Sequence, residues 1–141
     1  FGIALPAALL VVLDEMSEVH ESLAAGDGSE PVVEAERQIE ADLKELLEAM
    51  KQMPSSKSSN ERAQRGAQDR QRELNRILAE LKLIRMLQLR TNRQTGDVDG
   101  KRPENALPAE LRDKIEALAD QQDHIREATQ RLAEERSDEL R

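Results

Sequence analysis

The segment that decides the fold covers residues 111–132 and reads LRDKIEALADQQDHIREATQRL. Its seam positions recur at alternating steps of four and three residues over three heptads. A heptad repeat keeps one face of a helix turned toward a neighbouring helix, so this spacing predicts a coiled-coil seam. Two of its positions are polar and form polar layers. The candidate interaction seam is Leu111, Ile115, Leu118, Gln122, Ile125, Thr129 and Leu132.

Three further segments predict helices. The first runs from about residue 6 to residue 25, with a core stripe of Leu9, Leu13, Met16, His20 and Leu23 that Val12 and Val19 widen. The second runs from about residue 29 to residue 53, and Met50 and Met53 are expected to be core residues near its end. Its predicted stripe, which Leu47 adjoins, is Val32, Ile39, Leu43, Leu46, Met50 and Met53. The third becomes clearly apolar at residue 74 and fades at residues 91–93, and residues 94–106 are expected to form a loop.

The predicted fold class is all-α, because no segment alternates apolar and polar residues as a half-buried strand does. Short connections favour antiparallel neighbours, which gives elongated antiparallel helical hairpins or a four-helix bundle with coiled-coil seams. Residues 1–53 are expected to form an N-terminal hairpin and residues 61–141 a longer C-terminal hairpin. Between them, residues 54–60 form a polar linker, and Ser58 and Glu61 fit a capping box.

The composition excludes several classes of protein. The 141 residues include no Cys and a single Phe, 35% are charged, and the net charge is -8. Without Cys there is no disulfide scaffold and no Cys-based zinc site. Because strands favour aromatic residues, a β-sandwich is disfavoured. The overall acidity argues against a general nucleic-acid binder.

The charges are sorted along the chain. Residues 14–51 carry 12 acidic and 3 basic residues, a net of -9, whereas residues 61–93 carry 4 acidic and 9 basic residues, a net of +5. Residues 104–141 return to a net of -5, from 11 acidic and 6 basic residues. The favoured interpretation is pairing between a basic helix and acidic ones. The alternative is an anion-binding stripe of Arg62, Arg65, Arg70, Arg72 and Arg76.

The sequence offers no pattern for catalysis, a cofactor or a metal. His20 and His124 are each alone in their segments, so zinc would lack partners. We expect His20 to be at least half-buried and His124 to face solvent. Residues 95–100 resemble part of a calcium loop, but no register places both the required Gly and the closing Glu, so they predict a polar turn. The chain is therefore expected to be non-enzymatic.

The first thirteen residues carry no charge. Such a stretch is too short to span a bilayer, which takes about 20 residues. One interpretation is the start of an amphipathic helix that packs in its own bundle. The other is the end of a membrane anchor or signal segment.

Residues 72–88 (RELNRILAELKLIRMLQ) and 107–111 (LPAEL) resemble bacterial coiled-coil proteins in which a helical region follows an export signal or membrane segment. The resemblance covers about half of the chain and supplies no catalytic residue. It implies a cell-envelope or periplasmic location rather than a cytoplasmic one.

Together these observations predict a helical scaffold or protein–protein interaction module. Its expected partner is a second copy or another helical protein, bound through the fourth helix. Two alternatives stay open: binding of nucleic acid or an anionic surface through residues 62–76, and membrane tethering through residues 1–13.

Overall fold

The computed structural model describes residues 2–52, 65–104 and 106–139. These ranges contain four helices and no strand, so the all-α prediction is confirmed. The predicted linker and the capping box lie outside the described residues, as does Met53. The helices are α1 (Leu5–Ala24), α2 (Glu30–Gln52), α3 (Arg65–Gly100) and α4 (Ala109–Glu139).

The chain forms two compact units, one ending at Leu83 and the other beginning at Ile84. The first unit contains α1, α2 and the N-terminal part of α3. The second contains the C-terminal part of α3 and all of α4. A single continuous helix therefore supplies residues to both units.

The turn after α1 follows from Gly26. This glycine has a φ of 80°. A residue with a side chain adopts this left-handed conformation only at a cost in free energy. The Gly26 N–H donates to the Leu23 carbonyl and the Asp27 N–H to the Ser22 carbonyl, each at 2.9 Å. This pair of bonds is a Schellman motif, which ends a helix by satisfying its last carbonyls. The chain then reverses, and α2 packs against α1.

The buried face of α1 is not the predicted one. Leu5, Ala8 and Val12 are at most 2% exposed, whereas Leu9 and Leu13 are 46% and 59% exposed. The prediction that Leu9, Leu13, Met16 and Leu23 form the core stripe is therefore wrong. Of the two residues expected to widen that stripe, Val12 is buried and Val19 is half-buried. Because residues 3–13 are apolar on every side, periodicity alone could not select the face. Ala8 lies on the chosen face, where its small side chain permits close approach of another helix.

In α2 the predicted stripe is split between core and surface. Val32, Ile39 and Leu46 are buried, whereas Leu43 and Met50 are 42% and 47% exposed. The core assignment of Met50 is therefore wrong. The buried face of α2 also includes Asp42 and Ala49. The centre of this face is therefore rotated around the helix from the predicted stripe.

α3 extends beyond the predicted end at residues 91–93. It continues to Gly100, so the predicted loop of residues 94–106 is wrong in its first half. Buried Thr91 and half-buried Gln94 and Val98 continue the face of Leu87 at helical spacing. The Thr95 hydroxyl donates to the Thr91 carbonyl at 2.7 Å, so this polar group has a hydrogen-bond partner within the helix. Packing of this face outweighs the weak helix propensity of Gly96.

Candidate interaction surface

The predicted seam of α4 is divided between buried and exposed positions. Ile125 and Leu132 are each 5% exposed, and Leu111 and Leu118 are half-buried. Ile115, at 42%, is exposed, as are Gln122 and Thr129. The Thr129 hydroxyl donates to the Ile125 carbonyl of its own helix at 2.8 Å.

The polar layer at Gln122 is paired within the chain. Gln88 donates its amide N–H to Gln122 Oε1 at 2.9 Å, and Gln122 donates back to Gln88 Oε1 at 3.0 Å. Thr91 Oγ1 lies 3.5 Å from Gln121 Oε1, one turn further along α3. These contacts show that α4 lies antiparallel to the C-terminal part of α3. At this layer, the seam faces a helix of its own unit.

The candidate anion-binding arginines have partners within α3 wherever the structure describes their side chains. Arg70 Nε donates to the Gly66 carbonyl at 3.0 Å, and Arg72 lies 3.7 Å from Asp69. Arg76 forms an ion pair of 2.6 Å with Glu73. Arg62 lies outside the described residues, and of Arg65 only the helical backbone is described. The acidic neighbours reduce the positive potential along the stripe.

The N-terminal unit exposes large apolar side chains in three helical rows, one on α1, one on α2 and one on the N-terminal part of α3, where Leu74, Leu78 and Leu81 are 46–57% exposed. The α1 row and the α2 row follow spacings of three, four and seven residues, so each row occupies one face of its helix. Exposure ranges from 42% to 59%. Most of these residues are ones whose spacing predicted a place in the core. The α1 row is Leu9, Leu13, Met16 and Leu23, and the α2 row is Leu43, Leu47 and Met50.

The two rows lie on the same side of the α1–α2 hairpin. At about 100° per residue, each exposed row is turned about 100° from the buried row of its helix, in the same sense along the chain. Because the two helices run antiparallel, equal turns bring both rows to one side. Lys82 of α3 donates to Gln52 Oε1 at 3.2 Å, and Gln52 lies on the opposite flank of α2. The two rows therefore point away from α3.

Charged residues along the α2 row are paired. The Lys44 ammonium donates to Glu40 at 2.6 Å, and that of Lys51 to Glu48 at 2.7 Å. These hydrogen bonds, with the accompanying charge attraction, hold the pKa values of both glutamates below their usual range. All four side chains are at least 60% exposed, so the pairs add little stability.

Glu80 is a buried carboxylate that sequence reasoning did not single out. It is 0% exposed, and its Oε2 accepts a hydrogen bond of 2.7 Å from the Ala4 N–H at the start of α1. Ala4 has no capping side chain of its own, so Glu80 caps α1 from another helix. Gly2 lies against the same carboxylate, where an added Cβ would overlap Oε1. The signal in the sequence that could have identified Glu80 is its position, since it is a charged residue on the apolar face of α3.

The remaining candidates for chemistry are isolated. His20 is exposed, so the expectation that it is at least half-buried is wrong. His124 is exposed, with Nδ1 2.7 Å from the Asp120 carbonyl oxygen. Residues 95–100 belong to α3 rather than to a turn. Within the described ranges, no three His, Asp or Glu side chains are grouped as metal ligands.

A cleft of about 450 Å³ opens where α3 passes into α4. Asp99, Arg102 and Glu104 supply the charge at its rim, and Val98, Leu107 and Ile115 supply its apolar wall. Among the described helices, none combines the length and apolar character that a membrane crossing requires.

No protein-family model, curated protein or solved structure matches this sequence.

Proposed function

We propose that this chain is a non-enzymatic helical interaction module that presents apolar helix faces to helices of other protein molecules. The observation that carries the proposal is the pair of exposed rows on α1 and α2. Seven large apolar side chains are each 42–59% exposed on one side of a single hairpin. A contiguous exposed apolar patch of this kind marks an interaction site more often than an accident of packing.

The size of the surface decides how much of it a partner must cover. Seven half-exposed side chains present on the order of 500 Å² of apolar surface, which corresponds to roughly 12 kcal/mol of gross burial free energy. Association itself costs about 4–15 kcal/mol in lost freedom and ordering. One row supplies about half of the gross gain and does not reliably offset that cost. A partner is therefore expected to contact both rows at once.

The other surfaces support the proposal less directly. Association through the α4 seam stays a prediction, because Gln122 in that seam is paired with Gln88. Binding of nucleic acid finds less support, since Arg72 and Arg76 have acidic partners. The envelope location and the membrane tether also stay predictions.

A photo-cross-linking side chain placed at Leu13 or at Leu47 tests the proposal, with Ala41 as the control position. Ala41 is exposed but lies on the other side of α2 from the Leu47 row. After irradiation in an extract of the source cells, we expect protein adducts from Leu13 and Leu47 and none from Ala41, and mass spectrometry identifies them. Equal labelling from all three positions, or no adduct from either row, would refute the proposal.

A further inference from the structure

We infer that the cleft where α3 passes into α4 binds a small zwitterion of the aliphatic α-amino-acid type, which carries an ammonium, a carboxylate and an apolar side chain. All the residues that line the cleft lie in the second unit. The inference is therefore independent of the proposed interaction surface, which belongs to α1 and α2 in the first unit.

The first observation is an acidic and a basic side chain that have the spacing of an ion pair and do not form one. Within the described residues, five other acidic side chains are followed three positions later by Arg or Lys, and each of these pairs is closed at 2.6–3.7 Å. Asp99 and Arg102 have the same order and spacing, and the backbone N–H of Arg102 donates to the Asp99 carbonyl at 3.1 Å. The Arg102 guanidinium nevertheless forms no ion pair with Asp99 or with Glu104. Both signs of charge are therefore available to a ligand at the cleft.

The cleft has the size and the apolar wall that a small ligand needs. Its volume is about 450 Å³, and ligand sites in proteins occupy about 300–1,000 Å³. Val98 and Leu107 are half-buried and Ile115 is 42% exposed, so each leaves apolar surface that a ligand can cover. Ligand sites combine such a wall with a few polar groups that fix the orientation of the ligand. The three charged side chains at the rim supply those groups.

The charges at the rim specify a ligand that carries both signs. A guanidinium binds a carboxylate through two parallel N–H donors, and Arg102 is the cation among the lining residues. An ammonium donates hydrogen bonds to carboxylates, and Asp99 and Glu104 supply these at the same rim. A ligand with a single charge would leave the groups of the other kind unpaired, whereas a zwitterion satisfies both. The aliphatic side chain of the ligand then covers the apolar wall.

Titration of the full chain with L-leucine, followed by amide chemical shifts in two-dimensional NMR, tests the inference. We expect shift changes confined to residues around the cleft, with a Kd on the order of 1 mM because the ligand is small and the rim is exposed. No change around the cleft at about 20 mM ligand, or equal changes over the whole chain, would overturn the inference.

Three compounds that each lack one part of the zwitterion test its chemistry. N-acetyl-L-leucine has no ammonium, L-leucinamide has no carboxylate, and glycine has no aliphatic side chain. Each should bind at least about 10-fold more weakly than L-leucine, because each loses a charged hydrogen bond or the apolar contact. If N-acetyl-L-leucine or L-leucinamide binds as tightly as L-leucine, one charge suffices and the inference of a zwitterion is wrong.

Variants of the rim have matched controls in the neighbouring residues. R102Q and the double variant D99N/E104Q remove the two kinds of charge, whereas K101Q and D97N change exposed side chains that do not line the cleft. We expect both rim variants to bind L-leucine at least about 10-fold more weakly and both controls to stay within about twofold of the wild type. All the substituted side chains are exposed, so helical circular dichroism should be unchanged throughout. Normal binding by R102Q, or equal weakening in the controls, would contradict the assignment.

The same chemistry occurs at the two ends of a short aliphatic peptide. Dileucine is therefore titrated beside L-leucine, and the tighter ligand identifies the peptide or the free amino acid as the source. If neither ligand binds at the cleft, the inference fails. The proposed function is judged separately, by the adducts formed at Leu13 and Leu47, so either can fail without the other.

Discussion

Replacing Gly2 with alanine tests whether Glu80 caps the start of α1. The added Cβ would overlap Glu80 Oε1, so the carboxylate must move. Glu80 is 0% exposed and holds the Ala4 N–H at 2.7 Å, so movement breaks that bond without access to water. An N-cap contributes about 1 kcal/mol, and a hydrogen bond to a charged group about 1.5–3 kcal/mol. We expect G2A to lower the free energy of unfolding by about 1–2 kcal/mol.

A double-mutant cycle separates this mechanism from a general effect of the alanine. E80A removes the obstacle and the cap together, so it should cost about 2 kcal/mol. Adding G2A to E80A should then be neutral or slightly stabilising, because alanine reduces the freedom of the unfolded chain. The expected coupling is at least about 1 kcal/mol, well above the error for additive sites.

Urea unfolding followed by helical circular dichroism measures all four proteins of the cycle. The chain has no Trp and no Tyr, so intrinsic fluorescence would report little. If the costs of G2A and E80A add within about 0.5 kcal/mol, the two residues are independent and the cap is not formed as described.

Three further changes have defined outcomes. G26A should lower the free energy of unfolding by about 1–2 kcal/mol, because the φ of Gly26 is 80°. G28A places its Cβ in open space and should cost less than about 0.5 kcal/mol. Thermal unfolding of the two variants measures the difference. Q122L should cost less than about 0.5 kcal/mol in urea unfolding, because the Gln88–Gln122 pair is exposed and water replaces the lost partner of Gln88. Hydrogen bonds from the Ser29 side chain and N–H lower the pKa of Asp27, so its charged form contributes stability above its usual pKa of about 4. The advantage of wild type over D27N should therefore be present at pH 6 and disappear as pH falls through the lowered pKa, which acid titrations of both proteins would show.

The helices themselves were predictable because their limits are set by local chemistry. Gly26 and Pro108 supply signals that act within one turn, and α1, α2 and α4 begin or end within two residues of the expected positions. The end of α3 was missed because Thr91 and Val98 gain their helical state from packing along its face. Local propensity does not contain that information.

The faces of the helices were harder to predict. In α1 the rows of Leu5 and Leu9 are equally apolar, so only the packed structure distinguishes the covered row from the exposed one. Glu80 shows the same limit. Its spacing placed a charge on an apolar face, but its partner, the Ala4 N–H, is 76 residues away in sequence.

The Gln88–Gln122 pair has a consequence for how the second unit responds to its surroundings. Both members are neutral amides, each donating to and accepting from the other. Neither side chain titrates, and salt screening acts on charges rather than on such dipoles. The alignment of α4 along α3 at this layer should thus persist across changes in ionic strength that loosen the surface ion pairs of α2. The helix alignment in the second unit is therefore expected to tolerate salt, whereas the surface ion pairs of α2 in the first unit weaken as salt is added.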